Sequence, residues 1–308
     1  MSFLKLLESA RTPFGEQLAA LITLLGEETF FMLVGLVWVW CVDKRWGFRL
    51  LFAGLAGTAL NQLLKAVFLV PRPWLIDPEF TIVEAARAGA TGYSFPSGHT
   101  QSAATVFGML AARSKRALTV ALCVLAVLAV GFSRMYLGVH TPLDVGVSLL
   151  TGLLTVLGMN ALFNRFEDSV RGRRLLGGLL LGLSVILLLY VNLAPTREAN
   201  IAQFDAHGLK NAWTLLGTMA GLLLAWYADR RRLHFDTRAV WWAQLLKLGL
   251  GLALVLGVRV GLKPLLAPLF GQAPFADGVR YFLMAVAGGV LWPMTFGFFA
   301  RLGTGEKA

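Results

Sequence analysis

The sequence predicts an all-α protein, a multi-pass transmembrane helical bundle of about nine spans, and three observations carry that reading. Hydrophobic residues make up 57% of the 308, and the mean hydropathy is +0.68, as suits a chain solvated largely by lipid. Apolar runs long enough to cross a hydrocarbon core of roughly 30 Å recur along the whole chain, separated by short polar or basic connectors. The two-residue alternation that a membrane β-barrel requires is missing, which leaves helices as the way to satisfy the backbone in lipid.

The spans are expected at about residues 18–42, 48–70, 97–112, 117–134, 142–163, 175–194, 212–228, 240–262 and 281–300, each bounded by polar or basic residues. Ahead of them, Phe3, Leu4, Leu6 and Leu7 stand against Lys5 and Glu8, the pattern of an amphipathic stretch lying in the interface. Residues 1–11 lack the apolar core and small-residue cleavage site of a removable signal peptide. Cys41 and Cys123 fall at the end and in the middle of apolar runs, so no disulfide framework is expected. The 33 glycines fit close helix packing in lipid and leave the oligomeric state open.

The net charge of +11 sits in small clusters between apolar runs rather than along one solvated face, so membrane topology explains it better than a nucleic-acid partner. With nine spans, sixteen Lys and Arg fall on one face and ten on the other, Arg197 among the ten and Lys307 among the sixteen. The richer face is expected in the cytoplasm, with the C-terminus inside and the N-terminus outside. Lys247 and Arg259 lie within one span and raise the alternative of a transporter or channel. They stand about 120° apart around a helix rather than in one stripe. The plainer reading is that Arg259 snorkels at the outer boundary and Lys247 pairs inside the bundle.

Three segments at span ends on the outer face carry chemistry. Lys65 closes one span, and Arg72 opens a loop held extended by Pro71 and Pro73, so two cations can lean over one pocket. Ser97 after Pro96 suits a helix N-cap, Gly98 admits a ligand close to the backbone, and the free N–H groups there would bind an oxyanion. His99 in that first turn is placed to give and take protons. Arg134 ends a span, and His140 stands just before the helix start at Thr141-Pro142. Asp144 fits a variant capping box, and its carboxylate can also accept one imidazole N–H of His140, leaving the other nitrogen free to attack phosphorus. Three cations, a helix start and two histidines, with no acidic cluster to neutralise them, make phosphate the natural counter-ion. His207 and His234 are expected to be merely solvated, and neither supplies metal-ligand spacing, so a metal-independent site is expected.

On these residues the chain closely resembles the type 2 phosphatidic acid phosphatase superfamily, which also includes haloperoxidases and glucose-6-phosphatase. Lys65 and Arg72 match its first signature, Ser97, Gly98 and His99 the second, and Arg134, His140 and Asp144 the third. The resemblance implies a membrane phosphatase without cofactor or metal. His140 would be the nucleophile, His99 the general acid and then base, and Asp144 the orienter of His140. Lys65, Arg72, Ser97, Gly98 and Arg134 would hold the phosphoryl oxygens. It covers residues 18–163, implying a five-helix phosphatase core within 1–165 followed by a four-span bundle in 166–308 of the same membrane domain. Those last helices would be a scaffold, or would cap the substrate route together with the loop over 195–211. The expected partners are membrane lipids and a substrate such as a polyprenyl diphosphate, phosphatidate or phosphatidylglycerophosphate. The alternatives are a glucose-6-phosphatase-like hydrolase of a soluble sugar phosphate, whose nine spans and outer N-terminus match the expected arrangement, and a lipid phosphotransferase.

Overall fold

The computed structural model describes residues 1–193, 202–271 and 273–302, with 202–206 described by backbone alone. Arg197, Lys307 and the segment 194–201 lie outside the described residues. The fold is 83% helix, with no strand among the described residues. Its helices are α1 (Ser2–Ser9), α2 (Pro13–Thr23), α3 (Glu28–Val37), α4 (Lys44–Phe68), α5 (Pro73–Ile76), α6 (Gly98–Arg113), α7 (Ala117–Tyr136), α8 (Pro142–Phe166), α9 (Val170–Leu193), α10 (Ala202–Ala228), α11 (Trp241–Phe270), α12 (Pro274–Val286) and α13 (Phe296–Arg301).

Local chemistry sets several of these boundaries. The side chains of Thr12, Asp43, Ser97 and Thr141 accept backbone N–H groups of Gly15, Trp46, Thr100 and Asp144, caps worth about 1 kcal/mol each. Pro13 and Pro142 occupy first turns, where no N–H is needed. At the end of α4, Leu69 takes a left-handed φ of 53° and its N–H bonds the Lys65 carbonyl at 3.0 Å. The helix therefore stops just past Lys65 and the chain turns toward Arg72.

Among the described residues, six helical stretches are long and apolar enough to cross a membrane, or seven if the bent pair at the N-terminus is one span. The sequence reading has nine. The two others fold as α6 and α10 but do not meet the same test. The α6 helix has only 16 residues, and it turns Thr100, Gln101 and Thr105 into the interior. The α10 helix begins well before residue 212 and so includes the polar Lys210 and Asn211. The expected span 18–42 is broken rather than continuous: residues 13–26 and 28–42 meet at 50°. Glu27, in extended conformation ahead of α3, interrupts the apolar run there.

The α4 helix is the axis of the bundle, with α3, α6, α8, α9 and α10 packed on it. Its Phe52 stacks on Phe163 of α8 at 5.9 Å and meets Trp226 of α10 edge-on at 5.5 Å, so the N-terminal and C-terminal helices share one hydrophobic core. At the N-terminus, Leu4 of α1 packs with Phe80 and Ile82, and Lys5 pairs with Asp77 at 2.7 Å. Lys247 is fully buried. It pairs inside the bundle, donating to the Thr237 carbonyl at 2.9 Å with its ammonium 4.5 Å from the Phe296 ring.

Candidate active site

The loop between α5 and α6 is strapped to the ends of α4 and α8 by the residues singled out from sequence. Lys65, in the last turn of α4, donates to the carbonyls of Tyr93 at 2.5 Å and Ser94 at 3.3 Å. Arg72 donates to the carbonyls of Thr91 at 2.7 Å, Gly92 at 3.0 Å and Val139 at 3.0 Å. Its Nη1 also lies 2.9 Å from Nε2 of His140. A guanidinium only donates, so Nε2 is the acceptor and the ring proton belongs on Nδ1.

That proton faces Asp144, whose Oδ2 is 3.4 Å from Nδ1. The same oxygen accepts from Thr141 N at 2.8 Å and from Ser94 Oγ at 2.6 Å. Asp144 thus closes the capping box of α8 while standing behind the imidazole, and the two readings of this residue hold together. His140 lies between helices and is 2% exposed. Burial first, then the charges of Arg72, Lys65 and Arg134 and the neighbouring His99, hold its imidazole well below the usual histidine range. At neutral pH the ring is uncharged with a lone pair on Nε2.

A cavity of about 340 Å³ is lined by Lys65, Arg72, Gly98, His99 and His140 together. Ser97, Arg134 and Asp144 are not on its wall; each is 1% exposed or less. Ser97 is occupied as the cap of α6, accepting from Thr100 N at 3.4 Å and Thr100 Oγ1 at 2.9 Å. Arg134 donates from Nη1 to Thr23 Oγ1 at 2.8 Å, while its buried Nε and Nη2 find no partner among the described residues. Buried guanidinium nitrogens left open are donors waiting for an acceptor.

Two expectations need correction. Glu27 and Glu28 line the cavity, so the cations do have acidic neighbours; the bend between α2 and α3 carries these carboxylates to the site. His207 also lines the cavity with Asn211 instead of being merely solvated, because α10 starts at Ala202 and reaches over it. The bend itself is tight against the site, since a Cβ on Gly26 would fall 2.6 Å from the His99 carbonyl oxygen. Sequence reasoning also passed over Ser94, Asn61 and Gln101. Asn61 had a legible signal, lying four residues before Lys65 on one helix face, and it donates to Gln101 Oε1 at 3.0 Å. Ser94 had none, because its partner Asp144 is 50 residues away.

Residues 46–168 match the family described as PAP2 superfamily, and residues 213–306 match PAP2 superfamily phosphatase, transmembrane extension. Undecaprenyl-diphosphatase BcrC of Bacillus subtilis (strain 168) is 32% identical over 118 residues, covering 38% of this chain and 56% of that protein. A probable sphingosine-1-phosphate phosphatase of Dictyostelium discoideum is 27% identical over 197 residues, 58% of this chain and 47% of that protein. Phosphatidylglycerophosphatase B of Bacillus subtilis (strain 168) is 30% identical over 179 residues, 52% of this chain and 82% of that protein. The chain spans about half the length of the first two relatives and most of the third. No solved structure matches it.

Proposed function

The chain belongs to the PAP2 superfamily, and from that premise we propose that it is an integral membrane phosphatase that hydrolyses a lipid phosphate or diphosphate through a phosphohistidine on His140. The observation that carries this reading is the uncharged His140, its Nε2 lone pair held by Arg72 on the wall of a cavity shared with His99 and Lys65.

In the proposed cycle, a phosphoryl oxygen takes over Arg72 Nη1 and frees Nε2, which attacks phosphorus. The N–P bond forms as the P–O bond to the lipid breaks, and His99 gives its proton to the departing oxygen. His99 then takes a proton from water, the hydroxide bonds to phosphorus, the N–P bond breaks and phosphate leaves. Asp144, accepting Nδ1–H, stabilises the imidazolium that the attack creates. Lys65 and Arg72 hold the charge on the equatorial oxygens from the cavity wall and Arg134 from behind it through its open Nε and Nη2, with Gly98, set at the start of α6 by the Ser97 cap, supplying a backbone N–H group.

A lipid substrate is supported by the relatives, named for undecaprenyl diphosphate, phosphatidylglycerophosphate and sphingosine-1-phosphate. We further propose that the site opens on the extracytoplasmic face and that the C-terminus is cytoplasmic. Support comes from the basic cluster of Arg45, Arg49 and Arg230 around Glu167, at the opposite end of α4 from Lys65. The test is phosphate release from detergent-dispersed polyprenyl diphosphate, phosphatidate and phosphatidylglycerophosphate, with and without EDTA. Release is expected to be EDTA-independent and lost in His140→Ala and His99→Ala, the latter by about 10²–10⁴-fold. Turnover of sugar phosphates but no lipid would overturn the lipid reading, and product that requires an added acceptor would mark a transferase.

A further inference from the structure

We propose that the C-terminal helices complete a hydrocarbon chamber that receives the chain of the substrate lipid, an inference that rests on the lipid phosphatase reading above. Beside the catalytic cavity lies a second chamber of about 320 Å³, a size found among small-molecule sites, which run from roughly 300 to 1,000 Å³. Its walls are largely apolar and come from both halves of the chain, with Phe31 and Leu36 of α3, Leu55 of α4, Leu215 of α10, Val255 of α11 and Met284 of α12 among them. The α11 and α12 helices contribute nothing to the wall of the catalytic cavity.

The two spaces share Glu28, Thr29, Thr58, Gln62 and Asn211, so they adjoin across a polar border. Cations, then neutral and acidic polar groups, then hydrocarbon is the order of chemistry along a lipid from phosphate through linkage to chain. From Glu28 to Leu36 the chamber follows α3 for about 12 Å at 1.5 Å per residue. Leu33 and Leu256 line it and are also 40% and 54% exposed, so it opens sideways between α3 and α11 onto the bundle surface, where a bilayer would supply lipid directly. Arg259, also on its wall, lies against Tyr281 at 6.0 Å. A chain leaving hydrocarbon for hydrocarbon gains little free energy by the move. The chamber therefore acts by register, setting the depth at which the phosphate meets His140, and its effect belongs in kcat/KM.

The experiment compares kcat/KM for decyl phosphate and butyl phosphate in wild type and in two chamber-filling variants, Val255→Trp and Leu256→Trp. The decyl-to-butyl ratio is expected to be about tenfold or more in wild type and to fall toward unity in both variants. A ratio does not depend on how much of each variant folds. An unchanged ratio in the variants would overturn the chamber while leaving the phosphatase reading intact, whereas no hydrolysis of either ester or of the lipid panel by wild type would overturn both. Independently, His140→Ala protein loaded with decyl phosphate carrying a terminal diazirine is expected to be labelled on α11 or α12 after irradiation. Label confined to residues outside the chamber wall would also overturn the proposal.

Discussion

His140 owes its character to its surroundings rather than to its position in the chain. Burial and three neighbouring cations depress its pKa, so the attacking form persists in acid. Accordingly, kcat/KM is expected to stay level as pH falls through about 6.5, the ordinary imidazole value, and to drop only below it. The same shift has a sign for stability. Because the folded pKa lies below the unfolded one, the unfolded chain binds more protons in that window, so the stabilisation is complete above about pH 6.5 and is lost as pH falls. A melting curve series from pH 7 to pH 5 is expected to show a smaller decline for His140→Asn than for wild type. Asp144→Asn removes the charge behind the ring while keeping a side chain able to cap α8, so kcat should fall by about 10²–10⁴-fold with a modest change in melting temperature. His99, His140 and Asp144 could be singled out from sequence because their residue types stand at helix starts. Glu27, Glu28 and His207 were not, because what brings them to the cavity is a bend and a helix start that hydropathy smooths over.

Among the elements, close helix contact is built from glycine where the sequence shows only its abundance. Gly217 of α10 faces the backbone of Gly278 in α12, and a Cβ there would fall 1.9 Å from the Gly278 carbonyl oxygen. The four-residue spacing of Gly217 and Gly221 is thus used within the chain, where backbones approach without a hydrophobic drive between helices. Gly217→Ala is expected to lower stability by about 1–3 kcal/mol through overpacking, read as a lower melting temperature in detergent. Gly178→Ala, on α9 with open space around it, is the control expected to hold or raise that temperature, since alanine outranks glycine in a helix interior. Helix identity was well signalled by long apolar runs, and the caps at Ser97 and Thr141 by residue type. The broken helix at residue 26 and the early start of α10 were not.

Across the whole molecule, one buried carboxylate ties the two halves together at the end away from the site. Glu167, fully buried, bonds Arg49 of α4 at 2.5 Å and also pairs with Arg230 beyond α10, while Arg45 adds a contact at 3.1 Å. Removing one member of a buried pair strands the other. Glu167→Ala is therefore expected to cost about 3–5 kcal/mol, seen as a large fall in melting temperature. Sequence by itself determined that this chain is a helical membrane protein, and it singled out Lys65, Arg72, His99, Arg134, His140 and Asp144 as the residues of the proposed phosphate site. Apolar run length and the residue chemistry of helix ends are local properties, written in consecutive positions. Only the tertiary structure decided which of these groups face the cavity, which carboxylates approach them, and that α10, α11 and α12 wall a chamber beside the site. Those relations join residues more than two hundred positions apart, such as Phe31 and Met284, and they arise from packing, which no stretch of sequence encodes alone.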